Sequence, residues 1–424
     1  MRHPPKNATV RLWLGGSDTA RLKRLSYLRR SLRISATTAT KLSPTITAPP
    51  SRGTRYMQSS RIESLDYLRG LMAFSVMIYH YGNWSGLPFE SDTIFGRLGI
   101  YAVSIFYILS GLSLSLAYRY RINDLKDFRD FSIKRAARII PLFWLATSMQ
   151  VFLSYVIPYF TGGSPSENYG LLVLNYTLLF GIYDPSLSLI TGGWSIGNET
   201  FFYLIFPFVI FFSARNKWAI AAFIALSAAF AIYYSYFALT AERTLAEQWQ
   251  VYVKSLNQIF LFAVGVAIGH YKEQVTSILK RKSLSLALAA LCISVFILPI
   301  ASGDQINIVT GNERLLLSLA CFGLVISTLT LNPGYENAVT RPLKMLGEIS
   351  YTIYLMHPLV WIATRFIGQR MDLPIALIGA ISIILTLASS VVIFNIFEKF
   401  FIKRGTLLIK QLNSRRQVPA LDAR

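Results

Sequence analysis

Asp66-Tyr-Leu-Arg-Gly-Leu-Met-Ala-Phe-Ser-Val-Met-Ile-Tyr-His80 is apolar enough to enter a membrane, yet it carries a cation and an imidazole. Arg69 and His80 are eleven residues apart. That spacing is close to three helical turns, so the two point off nearly the same face, roughly 16 Å apart along the axis. Ionisable groups inside a span are costly and mark function. A cation at one end and an imidazole further in suit an anionic ligand held at the surface and proton chemistry deeper down.

The whole chain has this character. Of 424 residues, 53% are hydrophobic and only 15% charged, with a mean hydropathy of +0.44. This is membrane composition. The formal charge of +21 does not signal nucleic acid here, because the basic residues lie in the gaps between apolar runs and at the termini. Cys292 and Cys321 fall inside apolar runs and read as packing residues, with neither a disulfide framework nor metal-ligand spacing. Residues 1–56 are rich in Arg, Ser and Thr and hold no apolar core long enough for a signal peptide. They read as a basic disordered leader or as sequence before a start at Met57, the reading we favour.

Ten segments approach the ~20 apolar residues that a helical crossing needs: 67–84, 98–118, 139–159, 198–214, 217–238, 256–271, 283–302, 315–332, 349–367 and 374–397. The predicted fold is therefore an all-α polytopic bundle of about ten spans, with the membrane domain over 57–400 and a basic cytoplasmic tail over 401–424. The gap 119–138 carries seven basic residues, whereas 159–197 has no Lys or Arg. The positive-inside rule makes the first gap cytoplasmic and the second external. Later gaps keep that alternation, with both termini cytoplasmic, if the run 170–182 is re-entrant and does not cross.

Polar residues stand out against this background. Arg135 and Arg138, three apart, share a helix face with their forks at the inner membrane surface. With Arg69 they suit phosphate oxygens, although basic loops also arise from topology alone. Glu199 opens the fourth span in Trp194-Ser-Ile-Gly-Asn-Glu199-Thr-Phe-Phe-Tyr203, and a carboxylate there needs a partner or a water-filled cavity. Ser350, Tyr354 and His357 form a polar stripe beside Pro358, which removes a backbone hydrogen bond and is expected to kink the helix. Phe106-Tyr-Ile-Leu-Ser-Gly111 brings a small pair suited to close helix packing.

Five motifs in order, Arg69…His80, Phe106 to Gly111, Arg135-Ala-Ala-Arg138-Ile-Ile-Pro141, Trp194 to Tyr203 and Ser350-Tyr351…His357-Pro358, resemble the acyltransferase 3 family of integral-membrane proteins. The likeness covers roughly 61–397. Tyr67 stands where the family's Asp-Gly-Leu-Arg has glycine, and Tyr107 where a second phenylalanine is usual. Neither change touches Arg69 or His80.

The resemblance implies an O-acyltransferase moving an acyl group, acetyl by default, from cytoplasmic acyl-coenzyme A to a hydroxyl of a polysaccharide, lipopolysaccharide, oligosaccharide or glycolipid in a bacterial plasma membrane. Arg69, Arg135 and Arg138 are then expected to bind the donor phosphates, and His80 to act as general base. Glu199 is expected to fix the His80 tautomer or to bind sugar hydroxyls. Trp194, Tyr203, Tyr354 and His357 are expected to meet the substrate. No metal is expected. Many relatives continue into a C-terminal esterase-like domain. The chain ends at Arg424 without it, which keeps smaller glycans open as acceptors. The rival reading is a transporter or flippase of a lipid-linked saccharide, against which no inverted repeat is visible.

Overall fold

The computed structural model describes residues 62–164, 168–331 and 337–414. The leader, the alternative start at Met57 and the last ten residues lie outside them.

Ten long helices occupy the described residues. They are α1 Glu63–Trp84, α2 Ile94–Tyr118, α3 Leu125–Thr161, α4 Gly193–Ser213 and α5 Ala219–Ala238, then α6 Ser255–His270, α7 Lys282–Ile297, α8 Gly311–Thr330, α9 Ser350–Arg370 and α10 Ile375–Ser414. Helices satisfy every backbone group internally, which hydrocarbon demands. Each expected span falls on one of them. Seven are long and apolar enough to cross a membrane: α2, α3, α4, α5, Trp249–His270 with α6 at its core, α8 and α10. The helix α7 is apolar but shorter. The polar-bearing α1 and α9 fall outside that set, so ten expected segments are matched by ten helices and seven clear spans.

The helices alternate in direction, and side-chain contacts tie their ends together. At one end Ser64 Oγ donates to the Thr328 carbonyl (2.8 Å), Lys344 pairs with Glu63 (2.7 Å), and Arg119 pairs with Glu273 (2.7 Å). This is the end that carries the basic gaps. At the other end Arg97, wholly buried, donates to the carbonyls of Ser91 (2.7 Å), Phe296 (2.9 Å) and Ile297 (3.1 Å). It thereby takes up the orphan carbonyls at the end of α7.

The central helix is α2, with 72% of its most apolar window inside the protein against 28% for α3, α5 and α10. Those three turn bulky residues outward, among them Phe152, Leu226 and Ile396, as lipid-facing helices do. A close crossing is that of α2 on α6. Gly111 lies against the Phe262 carbonyl, and Gly265 against the Ile108 carbonyl. Gly265 and Gly269 form a small-xxx-small pair, the pattern that lets backbones approach in membranes. A Cβ at position 265 would drive into that carbonyl. Gly265→Ala is therefore expected to destabilise the bundle by about 1–3 kcal/mol through overpacking, read as a lower melting temperature in detergent.

The run expected to be re-entrant forms an eight-residue helix, Tyr169–Tyr176, and one turn, Phe180–Tyr183. Eight residues reach only about 12 Å, too little to cross. Asn175 folds the segment back, donating to the Leu187 carbonyl (2.9 Å) and accepting from Leu189 N–H (2.9 Å). The segment starts and finishes at the same end of the bundle.

Two details lie beyond the sequence reading. Residues 401–414, expected as tail, continue α10 as helix and pack on α3, where Arg129 donates to Asn413 Oδ1 (2.7 Å). Within α10 the stretch Phe394–Glu398 is a π-turn, a local widening that is frequent at functional sites. Pro358 lies inside a continuous α9, and Cys292 and Cys321 are buried and unpaired.

Candidate active site

Five helices meet around a cavity of about 110 Å3. One face of α2 forms its spine: Val103, Phe106, Ser110 and Ser113 recur every three or four residues and so stack on one side. Arg135 and Arg138 enter from α3, Glu199 and Tyr203 from successive turns of α4, Tyr351 and Tyr354 from α9, and Arg69 from α1. Three guanidiniums against one carboxylate leave a formal charge of 3 − 1 = +2 on the lining.

Local hydrogen bonds aim these groups. Arg69 is braced by Asp66 Oδ1 (3.0 Å), one turn earlier on α1, and by Ser113 Oγ (3.2 Å). The Ser110 and Tyr203 hydroxyls lie 2.9 Å apart. The Glu199 carboxylate sits beside both, within the field of Arg138 and Arg69. The Tyr354 hydroxyl is held 2.8 Å from Ser195 Oγ and 3.0 Å from the Gly192 carbonyl oxygen.

A second, wider cavity of about 480 Å3 opens at the basic end of the bundle. Arg69, Ser113 and Arg138 belong to both cavities and form the wall between them. Asp66, Glu348 and Glu398 also line the wider one. Glu398 was missed in the sequence. The π-turn directs it inward, where it is buried and accepts a hydrogen bond from Thr352 Oγ1 (3.0 Å). The available signal was an acid directly following a long apolar run, a placement that is costly without a purpose.

The histidines form a separate group. His80, half-buried, stacks between Trp84 (ring centroids 5.0 Å apart) and His357 (5.3 Å). His357 is fully buried. Its Nδ1 lies 3.1 Å from the Ile353 carbonyl oxygen, so that nitrogen carries the hydrogen, and its Nε2 has no partner among the described residues. Neither imidazole lines the arginine cavity. Phe106 and Tyr354, packed edge to face at 5.8 Å, connect the two regions. Both rings line the cavity; Phe106 packs on the core cluster around Tyr81 and Trp361, and the Tyr354 ring reaches His357 at 6.1 Å.

The structure thus gathers six of the nine expected site residues on one cavity: Arg69, Arg135, Arg138, Glu199, Tyr203 and Tyr354. It sets His80 and His357 beside each other. No hydrogen bond joins Glu199 to His80 among the described residues. Trp194 does not line the cavity; it packs on Trp249 and Tyr252 and on Tyr107, which does. Among the described residues no group of three or more His, Cys, Asp or Glu is arranged to hold a metal.

Residues 62–395 match a family described as an acyltransferase domain, acyltransferase 3. The chain belongs to that family: it is a multi-pass helical membrane protein and an acyltransferase. This decides against the transporter. Among curated proteins it is similar to the exopolysaccharide production protein ExoZ of Rhizobium meliloti (strain 1021), 26% identical over 295 residues, or 66% of this chain and 80% of that one. It is also similar to the peptidoglycan O-acetyltransferase OatA of Listeria monocytogenes, 26% identical over 342 residues, or 74% of this chain. The match spans only 51% of OatA. No solved structure matches the chain.

Proposed function

We propose that the chain transfers an acetyl group from acetyl-coenzyme A to a hydroxyl of a cell-surface polysaccharide, oligosaccharide or glycolipid. Its setting is a bacterial plasma membrane, with the basic end and both termini in the cytoplasm. The observation that carries this reading is the convergence of Arg69, Arg135 and Arg138 on one cavity, whose wall at Arg69 and Arg138 faces a wider cavity at the basic end. A donor of this class carries several phosphates on a long flexible thioester arm. The wider cavity has room for its nucleotide, although Asp66, Glu348 and Glu398 line it too; the two wall arginines suit its phosphates, and the inner cavity its thioester.

In the proposed step the acceptor oxygen attacks the thioester carbonyl carbon, and the C–O bond forms as the C–S bond breaks. His80, on the acceptor side of the Phe106 and Tyr354 rings, takes the hydroxyl proton, while the sulfur departs on the arginine side and takes a proton from water to leave as the free thiol. The stacked His357 and Trp84 hold the His80 ring. Glu199, first expected to orient His80, has neighbours that favour another role. Beside Ser110, Tyr203 and two guanidiniums, it balances charge and keeps the arginine forks aimed while the site is empty. The close packing of Trp194 supports a structural role there rather than sugar stacking. The names of the two relatives, one concerned with exopolysaccharide and one with O-acetylation of peptidoglycan, support a glycan acceptor.

The test uses membranes containing the protein, labelled acetyl-coenzyme A and host envelope glycans. Alkali-labile label in the glycan fraction is expected, together with release of free coenzyme A thiol. Failure of the purified protein to bind acetyl-coenzyme A or to release thiol with any envelope fraction would refute the proposal.

A further inference from the structure

We propose that Phe106 and Tyr354 measure the acyl chain, narrowing the far end of the inner cavity so that it accepts a two-carbon acyl thioester and rejects longer ones. This rests on the donor reading given above and adds a residue-level determinant to it.

The cavity follows α2 from Leu114 to Val103, eleven residues or about 16 Å of helix. Its chemistry changes along that path. Arg69, Arg138 and Ser113 stand at the wall shared with the wider cavity. One turn further in come Ser110, Tyr203 and Glu199. Beyond them the lining is mainly apolar, with Phe106, Val103, Ile196 and the ring of Tyr354, and the hydroxyls of Ser195 and Tyr107 there are engaged by Tyr354 and Asn198. A donor whose phosphates stop at the arginines therefore presents its acyl group to the apolar end.

That end is bounded by two rings that are themselves held. Phe106 and Tyr354 meet edge to face, with an interplanar angle of 73°. The Tyr354 hydroxyl is pinned at Ser195 and at the Gly192 carbonyl. Gly192 has φ +82°, and the Tyr354 ring lies close enough to meet any Cβ built there. Phe106 packs against both hydrophobic cores at once, so neither ring has space to recede. The free volume of about 110 Å3 is smaller than the ~150 Å3 cavity that holds a benzene molecule. That volume is for the whole inner cavity, so a thioester with a methyl group already takes up much of it, and an extended chain meets the Phe106 ring.

The experiment compares the wild-type protein, Phe106→Leu and Phe106→Ala on acetyl-, propionyl-, butyryl- and hexanoyl-coenzyme A, with envelope glycans as acceptor and thiol release as the readout. The quantity compared is the ratio of kcat/KM for acetyl to that for butyryl. Both values come from one preparation, so the ratio does not depend on how much of a variant folds. Wild type is expected to discriminate by about 10–200-fold per added methylene, the range for a fitted apolar pocket. Phe106→Ala is expected to lower the acetyl-to-butyryl ratio at least tenfold, with Phe106→Leu in between. Equal use of acetyl and butyryl by wild type overturns the proposal, as does a ratio unchanged in both variants. If wild type consumes none of the four donors, the donor reading itself falls and takes this inference with it. Acetyl turnover with an unshifted ratio overturns the chain-length role alone.

Discussion

His80→Ala is expected to slow acyl transfer by about 10²–10⁴-fold, the usual contribution of a positioned general base, while donor binding stays at the wild-type level. The two effects separate because His80 lies outside the arginine cavity, beyond the Phe106 and Tyr354 rings. The attacking hydroxyl has a high pKa, so transfer at neutral pH depends on a base at the acceptor oxygen. His80 is suited to that work. It is half-buried, so an acceptor can reach it, and its ring is sandwiched by Trp84 and His357, which limits its motion. The measurement pairs label transfer to glycan with titration of a non-hydrolysable acetyl-coenzyme A analogue. Full transfer by a folded His80→Ala protein would remove His80 from the mechanism and leave the acyltransferase class untouched.

Arg138→Ala and Arg69→Ala are expected to raise the donor KM by about 10–100-fold, since hydrogen bonds to charged groups contribute about 1.5–3 kcal/mol each and 1.4 kcal/mol is tenfold. These two arginines line both cavities, so any phosphate passing the wall meets them. Arg69→Lys is expected to recover little, because an ammonium lacks the planar fork that grips two oxygens. A donor without phosphates supplies the control. With S-acetyl-N-acetylcysteamine the wild type and both variants are expected to react alike. A similar loss with that truncated donor would show that the arginines act on folding or on the thioester carbonyl, not on phosphate.

The membrane class and the order of the helices were legible from residues 67–397 because hydrocarbon imposes a length and a composition that few other environments require. The pairing of Arg69 with Asp66, and of Arg135 with Arg138 on one face, was legible for a similar reason: residues three apart on a helix are neighbours whatever surrounds them. The small pair Ser110-Gly111 was read as a site of close helix packing, and the structure sets Gly111 against the Phe262 carbonyl, with Gly265 and Gly269 on the facing helix, which that reading had not picked out.

Partners on different helices were another matter. Glu199 and His80 sit on α4 and α1, 119 residues apart in sequence by subtraction of their numbers. Spacing says nothing about whether two such groups share a cavity. Packing sends Glu199 to the arginines and His80 to His357, with two aromatic rings between. Glu398 illustrates a further limit. An ordinary α-helical register does not specify its inward direction, which comes from a π-turn at Phe394–Glu398. The sequence by itself determined a multi-span helical membrane protein with cations at one surface and an imidazole deeper in, because those features follow from periodicity along single helices. Only the tertiary structure decided which of these groups face one another, because that depends on how the ten helices cross and on where their small residues let them approach.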